Sequence, residues 1–152
     1  MSPKIVPNIV SNQHLISVGK TTSIRDAAIL MAEHNIAAVL IMENRRLLGI
    51  LTERDISRKI IAAGLDPYQE TVENVMTVNP DYLSWDDTPE HALEMMREGQ
   101  YRHLPVVGAG GRVVGMVSIR DLYDAVHAAL ERDLQQCNAY ISGEVYGVAH
   151  FR

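Results

Sequence analysis

Two heptapeptides in the sequence place the same polar side chains at the same spacing. Residues 49–55 read Gly-Ile-Leu-Thr-Glu-Arg-Asp and residues 115–121 read Gly-Met-Val-Ser-Ile-Arg-Asp. Each has a glycine, two apolar residues, a hydroxyl residue, a variable position, an arginine and an aspartate. The second copy lies 66 residues further along the chain, at position 115 against position 49. Repetition at a fixed period indicates one structural unit that is built twice.

These residue types suit a ligand that carries phosphate or paired hydroxyl groups. An apolar pair that runs into Ser/Thr-x-x-Asp is typical of a buried strand leading to a helix N-terminus, where unpaired N–H groups and the helix dipole attract anions. A hydroxyl, Thr52 or Ser118, can bond a phosphate oxygen, and the arginine two residues later adds bidentate donors. The aspartate only accepts hydrogen bonds, which suits the two hydroxyls of a ribose.

A structural alternative stands beside this interpretation. Ser/Thr-x-x-Asp is also a capping-box pattern, in which the two side chains satisfy orphan N–H groups of a helix and bind nothing else. For one isolated copy the cap is the favoured interpretation. Two copies in register, each with the same glycine and the same Arg-Asp pair, favour a binding site.

The composition is that of an ordinary globular protein and excludes several classes. Of the 152 residues 47% are apolar and 22% are charged. The net charge of −5 argues against a nucleic-acid partner, because phosphate backbones are bound by basic surfaces. No apolar run approaches the ~20 residues of a membrane span, and the first residues lack the apolar core of a secretory signal. The single cysteine, Cys137, suits a reducing cytoplasm.

The pattern around the first heptapeptide predicts an α-β-β-α unit with a small strand at its head. The predicted elements are a helix capped by Ser23 and closed by Asn35, a buried strand over 36–42, a turn over 43–46, a return strand over 47–51 and a helix over 53–63. In the last helix Ile56, Ile60 and Ile61 are expected to be buried, and Gly64 stands at the expected C-cap.

The second unit repeats this order. Its predicted elements are a lead-in over 72–77, a helix capped by Asp87 or Thr88 and ended by Gly99, a strand over 104–107, a turn over 108–111, a return strand over 113–117 and a helix that Ser118 opens. We therefore divide the chain into a first unit with its lead-in over 1–70, a second unit over 71–131, and a helix extension and tail over 132–152. The tail is either a loosely packed terminus or a segment that covers a neighbouring subunit or a ligand.

Two further segments complete a family resemblance. Residues 101–107 read Tyr-Arg-His-Leu-Pro-Val-Val, and residues 75–77 read Val-Met-Thr. Together with the repeated motif and the two β-α-β-β-α units, they resemble a tandem pair of cystathionine β-synthase (CBS) domains over about residues 5–130. The resemblance implies an α/β (α+β) fold of two units related by a pseudo-twofold axis, with small sheets flanked by helices.

The resemblance also implies two clefts between the units, which often bind AMP, ADP, ATP, NAD-type dinucleotides or S-adenosylmethionine. Carried over by position, the aspartates hold ribose hydroxyls and the hydroxyl residues meet phosphate or ribose oxygens. Cationic side chains contact phosphate, and regions near 23–24, 37–39 and 88–89 surround adenine. The candidate ligand-binding residues are Ser23, Ile24, Ala38, Thr52, Arg54, Asp55, Arg102, His103, Pro105, Ser118, Arg120 and Asp121.

The two units differ at one pair of these positions. Where the second unit has Arg102 and His103, the first has Ala37 and Ala38. We therefore expect unequal affinities, with one cleft filled before the other. The alternatives for this pair are a solvated surface charge at Arg102 and a packing histidine at His103.

Nothing in the sequence indicates catalysis. The six histidines are scattered without metal-ligand spacing, and Cys137 has no histidine beside it in the sequence. Residues 108–111, Gly-Ala-Gly-Gly, lack the Lys-Ser/Thr of a phosphate loop and indicate a hairpin turn. We therefore expect no enzyme activity, no metal and no catalytic cofactor.

The leading hypothesis is a cytoplasmic sensor in which an adenosine ligand shifts the conformation of a homodimer that an unknown partner reads. The resemblance suggests that two pairs form a flat disk through helix faces such as Leu93 with Met96 and Ile119 with Tyr123. The rival is a ligand-independent dimerisation module whose two motifs are caps. Metal or redox sensing through Cys137 and scattered histidines is a weaker third hypothesis.

Overall fold

The computed structural model describes residues 3–11 and 13–150. The helices are α1 (Ile24–His34), α2 (Glu53–Asp55, continued with wider turns over Ile56–Ile61), α3 (Pro89–Gly99) and α4 (Ile119–His150). The strands are β1 (Ser17–Val18), β2 (Ala38–Glu43), β3 (Arg46–Thr52), β4 (Thr77–Val78), β5 (Leu83–Ser84), β6 (His103–Val107) and β7 (Val113–Ser118). In the described part of the chain, no helix combines the length and the apolar character that a membrane crossing needs.

The strands form two small mixed sheets, as the resemblance implied. The first sheet has the order β1-β2-β3-β4 and the second has the order β5-β6-β7. In each sheet an antiparallel hairpin, β2 with β3 or β6 with β7, receives a short parallel strand on one side. With helices on the sheets, the architecture is the predicted α/β arrangement of two similar units.

The first helix of each unit begins and ends where the sequence predicted. The Ser23 hydroxyl accepts a hydrogen bond from the Asp26 N–H at 3.1 Å, and α1 closes at Asn35 with a left-handed φ of 52°. In the second unit the cap is Thr88, whose hydroxyl accepts the His91 N–H at 3.2 Å. Gly99 is the last residue of α3, but the left-handed residue is its successor, Gln100.

Each unit has its own apolar core, and the segments that precede the units are exchanged between them. Ile5 and Val10, from the start of the chain, pack in the core of the second unit. Val72 and Val75, from the lead-in of the second unit, pack in the core of the first. The exchange is reinforced by backbone bonds such as the one from the Ile5 N–H to the Asp87 carbonyl at 2.8 Å. Packing thus assigns each lead-in to the other unit.

Three local predictions differ from the structure. Strand β2 covers Ala38–Glu43 rather than 36–42, since residues 36 and 37 are needed to turn the chain out of α1. Ile61 is 65% exposed rather than buried, because Ile60 takes the core-facing position of α2. The Gly-aromatic tail continues α4 as helix to His150, and its described side chains beyond Leu130 are exposed.

Candidate functional site

Both copies of the repeated motif open into one cavity of about 1310 Å³ between the two units. The resemblance implied two clefts, whereas here they form a continuous space. It exceeds the roughly 300–1,000 Å³ of a typical small-molecule site, so there is room for more than one ligand. The predicted residues that line it are Ala38, Thr52, Arg54, Asp55, Arg102, His103, Ser118, Arg120 and Asp121.

Strand register places these residues together. In the first hairpin Ala38 lies opposite Thr52, and in the second His103 lies opposite Ser118. The first N–H of the helix that follows each hairpin donates a hydrogen bond to the carbonyl of the residue just before the hairpin's first strand. The Glu53 N–H donates to the Ala37 carbonyl at 2.9 Å, and the Ile119 N–H donates to the Arg102 carbonyl at 2.8 Å. Each hairpin therefore delivers a helix N-terminus to the cavity wall.

The first motif forms a complete capping box. The Thr52 hydroxyl accepts the Asp55 N–H at 3.2 Å, while Asp55 Oδ2 accepts the Thr52 N–H at 2.9 Å. The Thr52 hydroxyl also donates its own proton to the same Oδ2 at 3.0 Å. Both side chains are partly buried, so this junction is rigidly held.

The second motif repeats the box in a more open setting. Asp121 Oδ2 accepts the Ser118 N–H at 2.8 Å, and the Ser118 hydroxyl accepts the Asp121 N–H at 3.2 Å. Asp121 is exposed, and its neighbour Arg120 is exposed as well. The cap interpretation is therefore correct for both copies, and both aspartates also line the cavity.

Charged residues of both units affect the pKa of His103. Burial lowers the pKa of His103 below its ordinary value, and the positive charges of Arg102 and Arg54 lower it further. The carboxylates of Glu53 and Asp121 act on the pKa in the opposite direction. Glu53 and Arg54 belong to the first motif, whereas Asp121 belongs to the second. One imidazole thus senses charges on both walls, where an anionic ligand would add to them.

Three predicted residues do not line the cavity. Ser23 is engaged as the cap of α1 and forms a backbone bridge with Thr71. Ile24 is fully buried in the first core. Pro105 is buried in β6 opposite Met116. Their side chains are engaged in a cap, a core and a strand, and the sequence pattern alone did not separate such positions from those that line the cavity.

Two lining residues that the sequence did not single out are Tyr101 and Gln13. The Tyr101 hydroxyl donates to Asp81 Oδ2 at 2.8 Å, and burial together with this carboxylate raises the pKa of Tyr101 to about 12. The Gln13 amide pairs with the Met116 backbone, accepting its N–H at 2.6 Å and donating to its carbonyl at 3.1 Å. The position of Tyr101 beside Arg102 was a usable signal, whereas nothing in the sequence marks Gln13.

Comparison with known proteins identifies the repeat. The family model of the CBS domain matches the chain twice, over residues 8–62 and 72–128. Meiotically up-regulated gene 70 protein of Schizosaccharomyces pombe is 35% identical over 130 residues, or 86% of this chain. The CBS domain-containing protein CBSCBSPB2 of Arabidopsis thaliana is 37% identical over 126 residues, or 82% of this chain. The chain spans only 18% and 23% of the lengths of these two relatives.

Solved structures share the fold. A putative signal-transduction protein with CBS domains from Burkholderia ambifaria superposes with a TM-score of 0.77 at 33% identity, covering 81% of this chain and 93% of that one. A CBS domain protein from Pyrobaculum aerophilum, complexed with AMP, gives 0.68 at 27% identity over 75% and 87%. The CBS domain pair of protein MJ0100, in complex with 5-methylthioadenosine and S-adenosyl-L-methionine, gives 0.72 at 26% identity over 84% and 99%. The chain therefore belongs to the CBS-domain family and contains a tandem pair of these domains.

Proposed function

We propose that this CBS pair binds an adenosine-containing ligand in the cavity between its units and acts as a regulatory sensor. The observation that carries the proposal is the convergence of two Ser/Thr-x-Arg-Asp helix starts, together with Arg102 and His103, on one cavity. Two family members of the same fold are complexed with AMP, and with 5-methylthioadenosine and S-adenosyl-L-methionine. Their ligands share an adenosine moiety, which makes that class the first choice here.

Each group in the cavity has a matching part of such a ligand. The carboxylate of a motif aspartate can accept from ribose hydroxyls, because an ionised carboxylate has about four acceptor sites and the cap uses only some of them. The helix N-termini at Thr52 and Ser118 and the guanidinium of Arg102 suit phosphate. Apolar lining such as Ala38 and Ile36 suits the faces of adenine.

The function that we propose is regulation without catalysis. A ligand that contacts both units binds one of their relative arrangements better than another, and it therefore shifts the population toward that arrangement. We further propose that the readout is a homodimer. Tyr123 and Leu130 on α4 are 57% and 62% exposed and would be covered by a second copy.

The second candidate is a ligand-independent dimerisation module. The specific observation in its favour is that both motifs are satisfied as helix caps by hydrogen bonds of 2.8 to 3.2 Å. Under this alternative the aspartates stabilise helices and the cavity holds only water. The two candidates differ in whether a ligand changes the stability of the folded state.

Thermal unfolding of the purified chain against AMP, ATP, NAD and S-adenosylmethionine, with GMP as the control, tests the proposal. A ligand at ~100 times its dissociation constant adds about 2.7 kcal/mol to the free energy of unfolding. We expect such a shift with at least one adenosine ligand and its loss in Asp121→Ala. Thr88→Ala, which removes a helix cap outside the cavity, is the matched control and must lose stability without losing the ligand response. No shift with any adenosine ligand at millimolar concentration would favour the dimerisation module.

A further inference from the structure

The two motif aspartates differ in what their outer oxygens contact. Asp55 Oδ1 lies 3.1 Å from the ammonium Nζ of Lys59, in addition to the capping bonds that Oδ2 accepts. Asp121 makes only its capping bond through Oδ2, and in the described part of the chain no ammonium, guanidinium or imidazole lies within ion-pair distance of it. The carboxylate of the first motif is therefore more fully occupied than that of the second.

A single sequence difference accounts for this asymmetry. Lys59 follows Asp55 by four residues, so that its ammonium reaches back along one turn of helix to the carboxylate. The residue four positions after Asp121 is Ala125, which has no charge to offer. The two units thus share the residues of the motif but differ in the residue one helical turn after the aspartate, which is lysine in the first unit and alanine in the second.

Lys59 is held on two sides rather than one. Its ammonium also donates to the Val75 carbonyl at 3.0 Å, in the lead-in of the second unit, which packs in the first core. The Lys59 side chain is 48% exposed and that of Asp55 is 15% exposed. Asp55 lines the cavity, whereas Lys59 is not one of the lining residues. A ribose hydroxyl that approaches Asp55 meets an oxygen that already has a partner.

We propose that Lys59 is an internal competitor for the ligand hydroxyls at Asp55, so that an adenosine ligand fills the Asp121 half of the cavity first. The inference rests on the proposed function, and it names a residue that sets the order of filling. In the Asp121 half no ammonium has to be displaced from the carboxylate. Arg102 directly precedes His103, which lies opposite Ser118 in the same half, so the preferred half is also the one with a guanidinium that can bind phosphate.

The size of the effect follows from the strength of the pair. Partly exposed ion pairs one helical turn apart are weak, and loss of such a competitor corresponds to a roughly twofold to fivefold gain in affinity. The change is confined to one half of the cavity, which distinguishes it from a general effect of net charge.

Isothermal titration of the full chain with AMP, and with S-adenosylmethionine as a second probe, tests the proposal. Lys59→Met keeps the apolar stem and removes the ammonium, whereas Lys59→Arg keeps a cation in reach of Asp55. We expect Lys59→Met to tighten the weaker binding event about twofold to fivefold, or to reveal a second equivalent where the wild-type protein takes up one. The stronger event stays unchanged, and Lys59→Arg behaves like the wild-type protein.

The reciprocal variant places the competitor in the other half. Ala125→Lys is expected to weaken the stronger event by a similar factor, and Ala125→Met is its uncharged control of comparable length. Ala125 is half-buried, so thermal unfolding checks that both variants fold. If they do not fold, the Lys59 variants alone decide the question.

The outcomes separate this proposal from the one on which it rests. If neither AMP nor S-adenosylmethionine binds the wild-type protein, the proposed function fails for these ligands. If they bind but Lys59→Met leaves both affinities and the stoichiometry unchanged, only the role of Lys59 is overturned. Weaker binding in Lys59→Met would show that the ammonium contacts the ligand directly, which also overturns competition.

Discussion

His103 lies directly opposite Ser118 across the β6–β7 hairpin, and Ala38 occupies the matching place opposite Thr52 in the first unit. A titratable ring therefore stands beside one helix N-terminus and a methyl group beside the other. Because the ring is largely withdrawn from water and flanked by Arg102, its neutral form is favoured. The cavity thus has one half whose charge can change with pH.

Stability should fall in mildly acidic solution because of His103. Burial lowers the pKa of its folded state below the ordinary 6.5, so the unfolded chain binds the proton first as pH decreases. The free energy of unfolding is therefore highest above about pH 6.5 and declines as pH falls toward the folded pKa. Unfolding by urea at a series of pH values should show this slope in the wild-type protein and a shallower one in His103→Gln. Parallel curves for the two proteins would contradict the prediction.

Because of Tyr101, the free energy of unfolding should fall as pH rises in alkaline solution, the opposite of the dependence that His103 gives. Its pKa is raised to about 12 by burial and by Asp81, so the folded state keeps its proton when the unfolded chain loses it near pH 10. The stabilisation is complete below about pH 10 and is lost as pH rises through 12. The titration of Tyr101 should therefore appear late in ultraviolet absorbance, and Tyr101→Phe should remove that late step. Loss of the hydrogen bond to Asp81 should also lower the free energy of unfolding by about 1 kcal/mol.

The two motif glycines should differ in their tolerance of a methyl group. A Cβ on Gly49 would stand 2.5 Å from Met76 Sδ and 2.7 Å from the Thr77 carbonyl oxygen, which belongs to a paired strand and cannot yield easily. A Cβ on Gly115 would meet only side chains, Val10 at 2.5 Å and Gln13 at 2.7 Å. We expect Gly49→Ala to lower the free energy of unfolding by about 1–3 kcal/mol and Gly115→Ala to lower it less. Chemical denaturation of both variants measures the two free energies of unfolding. Equal losses would contradict the prediction, since they would mean that the neighbours of both glycines move aside equally easily.

Gln13 should matter more than an exposed glutamine ordinarily does. Its side-chain amide forms hydrogen bonds with the N–H and the carbonyl of Met116, at the edge of β7 that pairs with no other strand in the described sheet. Gln13→Ala should lower the free energy of unfolding by about 1–2 kcal/mol, because two backbone groups lose a partner. Gln13→Glu, which keeps an acceptor but loses the donor, should fall between. The exposed Gln136 on α4 provides the control, since its replacement by alanine should stay within about 0.5 kcal/mol.

The sequence by itself determined the repeat and everything that follows from local pattern. The two copies of the heptapeptide predicted two strand-to-helix junctions, and both are present with their capping boxes. Caps, apolar spacing and turn residues act over a few neighbouring positions, so Ser23, Asn35 and Thr88 could be assigned without a fold. The resemblance to CBS domains rested on the same local signals.

Only the tertiary structure decided how the two units share parts. Ile5 and Val72 each pack in the core of the other unit. The sequence did not predict this exchange, because a contact between segments far apart in the chain leaves no periodic pattern. The continuous cavity follows from the same arrangement, since its walls come from both units. The repeat fixed equal roles for Asp55 and Asp121, and the lysine four residues after Asp55 is visible in the sequence, but only the fold brings the Lys59 ammonium to Asp55 and to the Val75 carbonyl together. The contact with Val75 joins residues 16 positions apart, which the spacing of a helix does not specify.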